Sequence, residues 1–320
     1  MRESSPLPPA AQADANAGNQ YLNPLLALSA DIPEFFSSYE ARDVALYALG
    51  VGAARDPLDA AELRWVYEGA AAGHQVLATY ASIPATRILL DLYAARANAA
   101  PSARQSAVPG LNFGFERMVH GEHYLALMAP LPPAAQLKHK LRIKAIYDKG
   151  KHAVVVQGYS TRDAQTDQLL CYNEISLIVH GAGGWGGERG PARNDVELPA
   201  RTPDAVIEEI TAPNQALLYR LSGDLNPLHV DLAAARSLGF ERPILHGLCT
   251  LGFVGRHLLQ ACSGQNASAQ LRDLRVRFAG PVYPGETLIT QMWHMPNQQV
   301  RFQTLVGARV VLSQGTASWA

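Results

Sequence analysis

Hydrophobic and polar residues alternate with period two in several stretches of the chain. In QVRFQTLVG, Val300, Phe302, Thr304 and Val306 alternate with polar Arg301 and Gln303. Period-two alternation is the signature of a strand with one buried face. RVVLSQGTASW and LRVRFAGPVYPGETLITQMWH (Leu274 to His294) continue the theme. Earlier in the chain, HAVVVQGYSTRD, QLLCYNEISLIVHG and the long stretch ending in YDKG (Tyr147 to Gly150) do the same. In both halves a strand runs into a proline-marked turn, Pro130 to Pro133 and Pro281 to Gly285, and a long strand follows. A different period precedes each run of strands. Leu248, Leu251, Val254, Leu258 and Cys262 recur near 3.6 residues, with Pro243 ahead of them, predicting a helix over Leu245 to Cys262. RDVALYALGVGAA (Arg42 to Ala54) and ATRILLDLYAARA (Ala85 to Ala97) read as helices in the first half.

One apolar helix followed by a run of antiparallel strands suits a sheet that wraps around a helix, and two copies in one chain make a pseudo-dimer of α+β class. The expected boundaries are a first repeat over 21–180 and a second over 204–320. Between them, GAGGWGGERG (Gly181 to Gly190) places six glycines in ten residues. Such a stretch holds neither helix nor strand, so 181–203 reads as a Gly/Pro-rich linker or an ordered surface loop. Residues 1–20, rich in Pro, Ala, Asn and Gln with almost no large apolar side chains, are expected to be disordered.

Composition narrows the function classes. With 48% hydrophobic and 17% charged residues and a net charge of -1, nothing argues for nucleic acid or an anionic membrane as partner. No apolar run approaches the roughly 20 residues that span a bilayer. The start of the chain lacks the apolar core of a signal peptide, and its Ser318-Trp319-Ala320 end is not a Ser-Lys-Leu address. The expectation is a cytoplasmic protein. Cys171, Cys249 and Cys262 fit neither a zinc site nor a disulfide framework and read as buried small hydrophobes.

The stretch YRLSGDLNPLHVD (Tyr219 to Asp231) carries the most chemistry. Gly223, Asp224, Asn226 and Pro227 mark a sharp turn, and Pro227 biases Asn226 toward extended backbone. DLAAARSLGF follows as a short helix that Asp231 is suited to cap. The bend can aim a carboxylate (Asp224), an amide (Asn226) and an imidazole (His229) at one water. A plain Asx turn with a surface histidine would use the same residues. In PILHGLCT (Pro243 to Thr250), Gly247 falls in the first turn of a helix, where a free N–H backed by the helix dipole can bind an oxyanion. Close packing alone would use the same Gly247, and His246 reads as a packing or capping residue. No metal and no cofactor is required by this set.

S-G-D-x-N-P-L-H followed by G-F-x-x-P-I-L-H-G-L resembles the signature of the MaoC-like type 2 enoyl-CoA hydratases, in particular the hydratase part of the peroxisomal multifunctional β-oxidation protein. Further landmarks are ALYALGVGA, VYEG, VHGEHYL, YDKG, GAGGWGG and RFAGPVYPG, so the resemblance extends over about 36–320. It implies a double hotdog fold with the active site in the C-terminal half. It implies Asp224 and His229 as the catalytic pair, Asn226 as water-orienting, and Gly247 as an oxyanion-hole donor. By the same matching His120, Gly121, Lys149, Leu225, Pro227, Leu228 and Phe278 line the acyl-CoA site. An acyl-CoA substrate and a homodimer are expected, and a peroxisomal compartment stays open if the chain is eukaryotic. The first half has no Asp-x-Asn-Pro-x-His unit around VYEGAAAGHQVLATYASI (Val66 to Ile83) and is expected to bind the acyl chain instead, through small residues such as Ala78 and Ala81. Two rivals share the scaffold: a hotdog acyl-CoA thioesterase and a non-catalytic acyl-thioester binding module.

Overall fold

The computed structural model describes residues 18–71, 73–94, 108–191, 196–263 and 271–319. Among them the alternating stretches are ten strands: β1 Phe35–Tyr39, β2 Met118–Leu127, β3 Ala135–Asp148, β4 His152–Asp163, β5 Leu169–His180, β6 Ala205–Ile210, β7 Leu271–Phe278, β8 Thr287–Met295, β9 Gln299–Val306 and β10 Arg309–Trp319. Seven helices accompany them: α1 Pro24–Ser29, α2 Ala41–Gly50, α3 Ala60–Leu63, α4 Ser82–Ala94, α5 Gln215–Tyr219, α6 Leu232–Ser237 and α7 Gly247–Ser263.

The strands form one sheet in the order β1-β3-β4-β5-β2-β7-β10-β9-β8-β6, with antiparallel pairing. Outward from the β2–β7 seam, the first half runs β5, β4, β3, β1 and the second runs β10, β9, β8, β6. Each strand has a counterpart five places later in the chain, so the duplication expected from sequence is the topology of the sheet. α4 and α7 precede equivalent strands, and each is the centre of an apolar core.

The two cores are not assembled from their own halves alone. Tyr39, Val44, Tyr47, Val51, Trp65, Leu77 and Tyr80, all early in sequence, are buried in the core of α7 and β7–β10. Polar bonds fix that crossing. Gln215 Nε2 donates to the Gly50 carbonyl at 2.7 Å, and Arg256 on α7 bridges Glu62 (2.9 Å) and Glu209 (3.0 Å). Nothing in the periodicity of α2 discloses which half it packs against.

The glycine-rich segment is an ordered loop sewn to the first repeat. Gly184 and Gly186 donate their backbone N–H groups to Asp148, while Ala182 and Trp185 are buried. Burial raises the Asp148 pKa, but the N–H groups of Gly184, Gly150, Gly186 and Gly187 outweigh it and hold the carboxyl below its usual value. At the start of the chain, 1–17 lie outside the described residues. Residues 18–20, expected to be disordered, are structured: Asn19 pairs with Leu22, and its Nδ2 donates to the Ala182 carbonyl at 3.0 Å. Cys171 and Cys249 are buried, as expected; burial pushes the Cys171 thiol up to about 12, so it is no nucleophile. Among the described residues no helix is long and apolar enough to cross a membrane.

Candidate active site

The turn before His229 is built from its own side chains. After α5 a single 3-10 turn, Arg220–Ser222, ends at Gly223, whose φ is 127° and whose hypothetical Cβ would lie 2.6 Å from Arg87 Cγ. Only glycine meets both conditions. Asp224 Oδ1 then accepts from the Asn226 N–H at 3.1 Å, and Asn226 Oδ1 accepts from the Leu228 N–H at 3.1 Å. Pro227 keeps Asn226 out of the helical region, at φ -53° and ψ 124°. One 3-10 turn, Pro227–His229, delivers a buried His229. α6 follows with Asp231 as its cap, accepting from the Ala234 N–H at 2.8 Å.

His229 Nδ1 lies 2.9 Å from the Ile244 carbonyl, which can only accept. The proton is therefore on Nδ1, and Nε2 is bare. His246 Nε2 lies 3.1 Å from the Asp224 carbonyl, so by the same reasoning Nε2 donates and Nδ1 is bare. That Nδ1 is buried and has no protein partner among the described residues. The two imidazoles stack with centroids 3.6 Å apart. The Asp224 carboxylate and one ring nitrogen of each histidine lie within 4.8 Å of one another. Burial lowers the His229 pKa, against the opposing pull of the Asp224 carboxylate and the Ile244 carbonyl. Burial, then the neighbouring His229, drives His246 well below the ordinary value. Both rings are neutral bases or donors near pH 7.

Gly247 is the first residue of α7, the 17-residue helix that the sequence placed over Leu245 to Cys262. Its hypothetical Cβ would meet the Phe278 ring at 2.9 Å, so that ring lies directly over the backbone of the first turn. Phe278 in turn receives His120 edge-on, with centroids 4.8 Å apart. Asp224, His229, Gly247, Phe278 and His120, distant in sequence, thus form one contiguous cluster, with Gly121 beside His120. Asn226 is part of the same turn, although its Oδ1 is already used as a cap. Leu225 and Pro227 face outward on the turn, and Leu228 is half-buried. Lys149 stands apart, in the β3–β4 turn, with its Nζ bonded to the Arg189 carbonyl and 5.5 Å from the Tyr147 ring centroid.

Sequence reasoning missed one neighbour of the turn. His246 reads as a packing or capping residue and does both, stacking on His229 and donating to the Asp224 carbonyl. Arg87, in the middle of α4, gives no sequence signal that it packs against Gly223.

Two five-stranded repeats sharing one sheet, each around a helix, with an Asp-His pair at the N-terminus of the second helix, define a double-hotdog protein of the MaoC-like class. Residues 37–181 match the MFE-2 hydratase 2 N-terminal domain, and residues 195–316 match the MaoC like domain. The chain is 38% identical to enoyl-CoA hydratase 2, peroxisomal, of Arabidopsis thaliana over 89% of this chain and 91% of the relative. It is 44% identical to peroxisomal multifunctional enzyme type 2 of Mus musculus over 88% of this chain, but spans only 36% of that protein's length. Among solved structures, a MaoC-like dehydratase from Phytophthora capsici superposes with a TM-score of 0.76 at 29% identity, covering 92% of this chain and 98% of that one. The chain belongs to the hydratase 2 family of MaoC-like proteins.

Proposed function

We propose that the chain catalyses the reversible hydration of trans-2-enoyl-CoA to (3R)-3-hydroxyacyl-CoA. The observation that carries this reading is the meeting of a bare His229 Nε2, the Asp224 carboxylate and the first-turn amide of Gly247 in one cluster. The names of the relatives, enoyl-CoA hydratase 2 among them, support it. Water held between Asp224 and His229 gives its hydroxyl to the β-carbon, and a proton is delivered to the α-carbon from the same pair. The electron pair passes through the thioester enolate, whose oxygen meets the Gly247 N–H and the positive end of α7. The net change is addition of H and OH across the double bond. No electron leaves the substrate and the C–S bond is not broken. His246 fixes the Asp224 backbone and the ring plane of His229. Asn226 keeps an amide nitrogen to orient the water.

His120, Gly121 and Phe278 border the thioester in this reading, with Leu225, Pro227 and Leu228 on the opposite lip and Lys149 farther along the CoA. The first repeat takes the acyl tail. A groove of about 470 Å³ lies between β1 and α4, lined by Phe35, Ser38, Tyr80, Ile83, Arg87 and Leu92 among others. That volume falls within the usual range of small-molecule sites. Arg87 joins it to Gly223, one residue from Asp224. Ala78 and Ala81, expected from sequence to line the tail site, pack into apolar clusters instead, and their neighbours Tyr80 and Ile83 face the groove. A cytoplasmic homodimer is the proposed state, tested by fractionation and sedimentation.

The deciding assay follows the ultraviolet absorbance of a trans-2-enoyl-CoA together with free thiol, with and without chelator. Hydration bleaches the conjugated thioester and releases no thiol, and chelator leaves the rate unchanged. Thiol release identifies the thioesterase, and neither change identifies a binding module.

A further inference from the structure

A chain of buried polar side chains leads away from the site into the first repeat. His120 Nε2 and His123 Nδ1 are 3.3 Å apart. His123 Nε2 and Asn173 Oδ1 are 3.1 Å apart, and Asn173 Nδ2 donates to the Ala81 carbonyl at 3.0 Å. His123 and Asn173 are 1% and 0% exposed, so each of these bonds replaces a lost bond to water. We propose that His123 and Asn173 are positioning residues that fix the ring plane and tautomer of His120, leaving its Nδ1 as a hydrogen-bond acceptor for an amide N–H of the substrate's pantetheine arm. The proposal rests on the hydratase reading for the identity of that ligand.

Residues three apart on a regular strand face opposite sides of the sheet. His120 and His123 share a side because β2 is bulged between them. His120 pairs with Leu177 and Glu122 with Ser176, so Gly121 is an extra residue without its own partner. A Cβ on Gly121 would lie 3.0 Å from Ile178 Cδ1 and 3.3 Å from the Ser176 carbonyl oxygen, so the bulge is made where glycine permits it.

The direction of the chain follows from its far end. The Ala81 carbonyl can only accept, so Asn173 presents its nitrogen there and its oxygen to His123. That oxygen can only accept, so His123 carries its proton on Nε2. Burial pushes the His123 pKa down to about 4, so the ring is neutral near pH 7 and its Nδ1 is bare. A bare Nδ1 requires a donor, and His120 Nε2 is the group in reach. Burial, then His123, keep His120 neutral against the opposing pull of the Glu122 carbonyl, so once Nε2 gives its one proton to His123 the remaining nitrogen, Nδ1, is an acceptor. His120 is half-buried, with its edge on the Phe278 ring that covers Gly247. The His120 ring therefore lies at the border of the cluster proposed to hold the thioester. The pantetheine arm carries amide N–H groups that need an acceptor there.

The test reads the tautomer first. In the full chain labelled with ¹⁵N-histidine, His120 is assigned by its loss in His120→Gln, and its nitrogen shifts are recorded near pH 7 without substrate. The proposal expects the proton on Nε2. A proton on Nδ1 in the wild type overturns it, and this reading needs no variant to fold. His123→Leu then removes the link; its cross-strand neighbours, Ile175 and Val276, are aliphatic, so leucine fits that face. His120 should lose its single tautomer, and KM for a trans-2-enoyl-CoA should rise about tenfold with kcat little changed. His123→Gln, which retains one donor and one acceptor, should restore most of the loss. Unchanged KM in a folded His123→Leu, or equal losses in the Leu and Gln variants, contradicts the proposal. Wild-type turnover tests the hydratase reading separately, because the tautomer is read without substrate.

Discussion

A carboxylate at a surface turn is usually a solvated group with no catalytic use. The catalytic role proposed for Asp224 rests on its backbone carbonyl being held by His246 and its carboxylate lying near a neutral, buried His229 whose other nitrogen is anchored to Ile244. Asp224→Ala and His229→Ala should each lower kcat by about 10²–10⁴-fold, the usual value of a positioned acid or base. Since both act on one water, the double variant should fall far short of the product of the singles. Multiplicative losses in single-turnover kinetics would mean that they serve separate steps. Gly247→Ala should cost about 10²–10³-fold in kcat, because its methyl meets Phe278 and displaces the amide from the oxyanion. A folded Gly247→Ala with wild-type kcat would remove that amide from the mechanism. At this scale the sequence was informative wherever one local motif holds the residues. Asp224, Asn226 and His229 share eight residues of turn chemistry, and Gly247 sits at a helix start. Contacts made across the chain, such as Arg87 on Gly223 or His123 on Asn173, have no local pattern.

At the scale of elements, periodicity located α7 to within two residues at its start, because its apolar face is continuous and Pro243 precedes it. The first-half helices were equally visible: α2 and α4 fall within Arg42 to Ala54 and Ala85 to Ala97 to within a few residues at the described ends. Their partners were not. α2 packs on α5 and the second core, and β1 and α4 open a groove between them, because packing partners depend on shape rather than period. Six glycines in ten residues read as a linker or an ordered surface loop; it is an ordered loop, and the backbone amides of Gly184 and Gly186 converge on Asp148, a use of glycine that composition cannot report. The groove yields a prediction at this scale. Ser38, exposed on β1, lines it, so Ser38→Trp fills it without disturbing either core. Displacing two methylenes of a buried tail should cost about tenfold in kcat/KM. A long-chain trans-2-enoyl-CoA should lose that much while crotonyl-CoA is little affected. Equal effects on both substrates, or no effect on either, would place the tail elsewhere.

The whole molecule is a duplicated sheet in which one repeat has the Asp-His pair and the other keeps a polar chain running inward from it. The duplication was legible because both copies retain the same order of helix, strand, proline turn and long strand. Its buried histidines make a further prediction. Burial holds His123 and His139 at a pKa of about 4, while an unfolded histidine titrates near 6.5. Between those values the unfolded chain binds protons that the native protein refuses. Stability is therefore complete above about pH 6.5 and falls as the pH falls through that window. By pH 5 each of the two should have cost about 2 kcal/mol, and His229 and His246 are shifted in the same direction. Urea midpoints at pH 7.5 and pH 5 read this directly. A midpoint that does not fall on acidification would mean that these histidines are protonated in the native protein.

In the proposed reaction Asp224, His229 and Gly247 add water to an enoyl thioester from one fixed side. The most direct measurement is chiral analysis of the product formed by the wild-type protein from trans-2-enoyl-CoA, with Asp224→Ala as control. The wild type should give (3R)-3-hydroxyacyl-CoA and the variant almost none. A (3S) product, a racemate, or undiminished product from Asp224→Ala would contradict it.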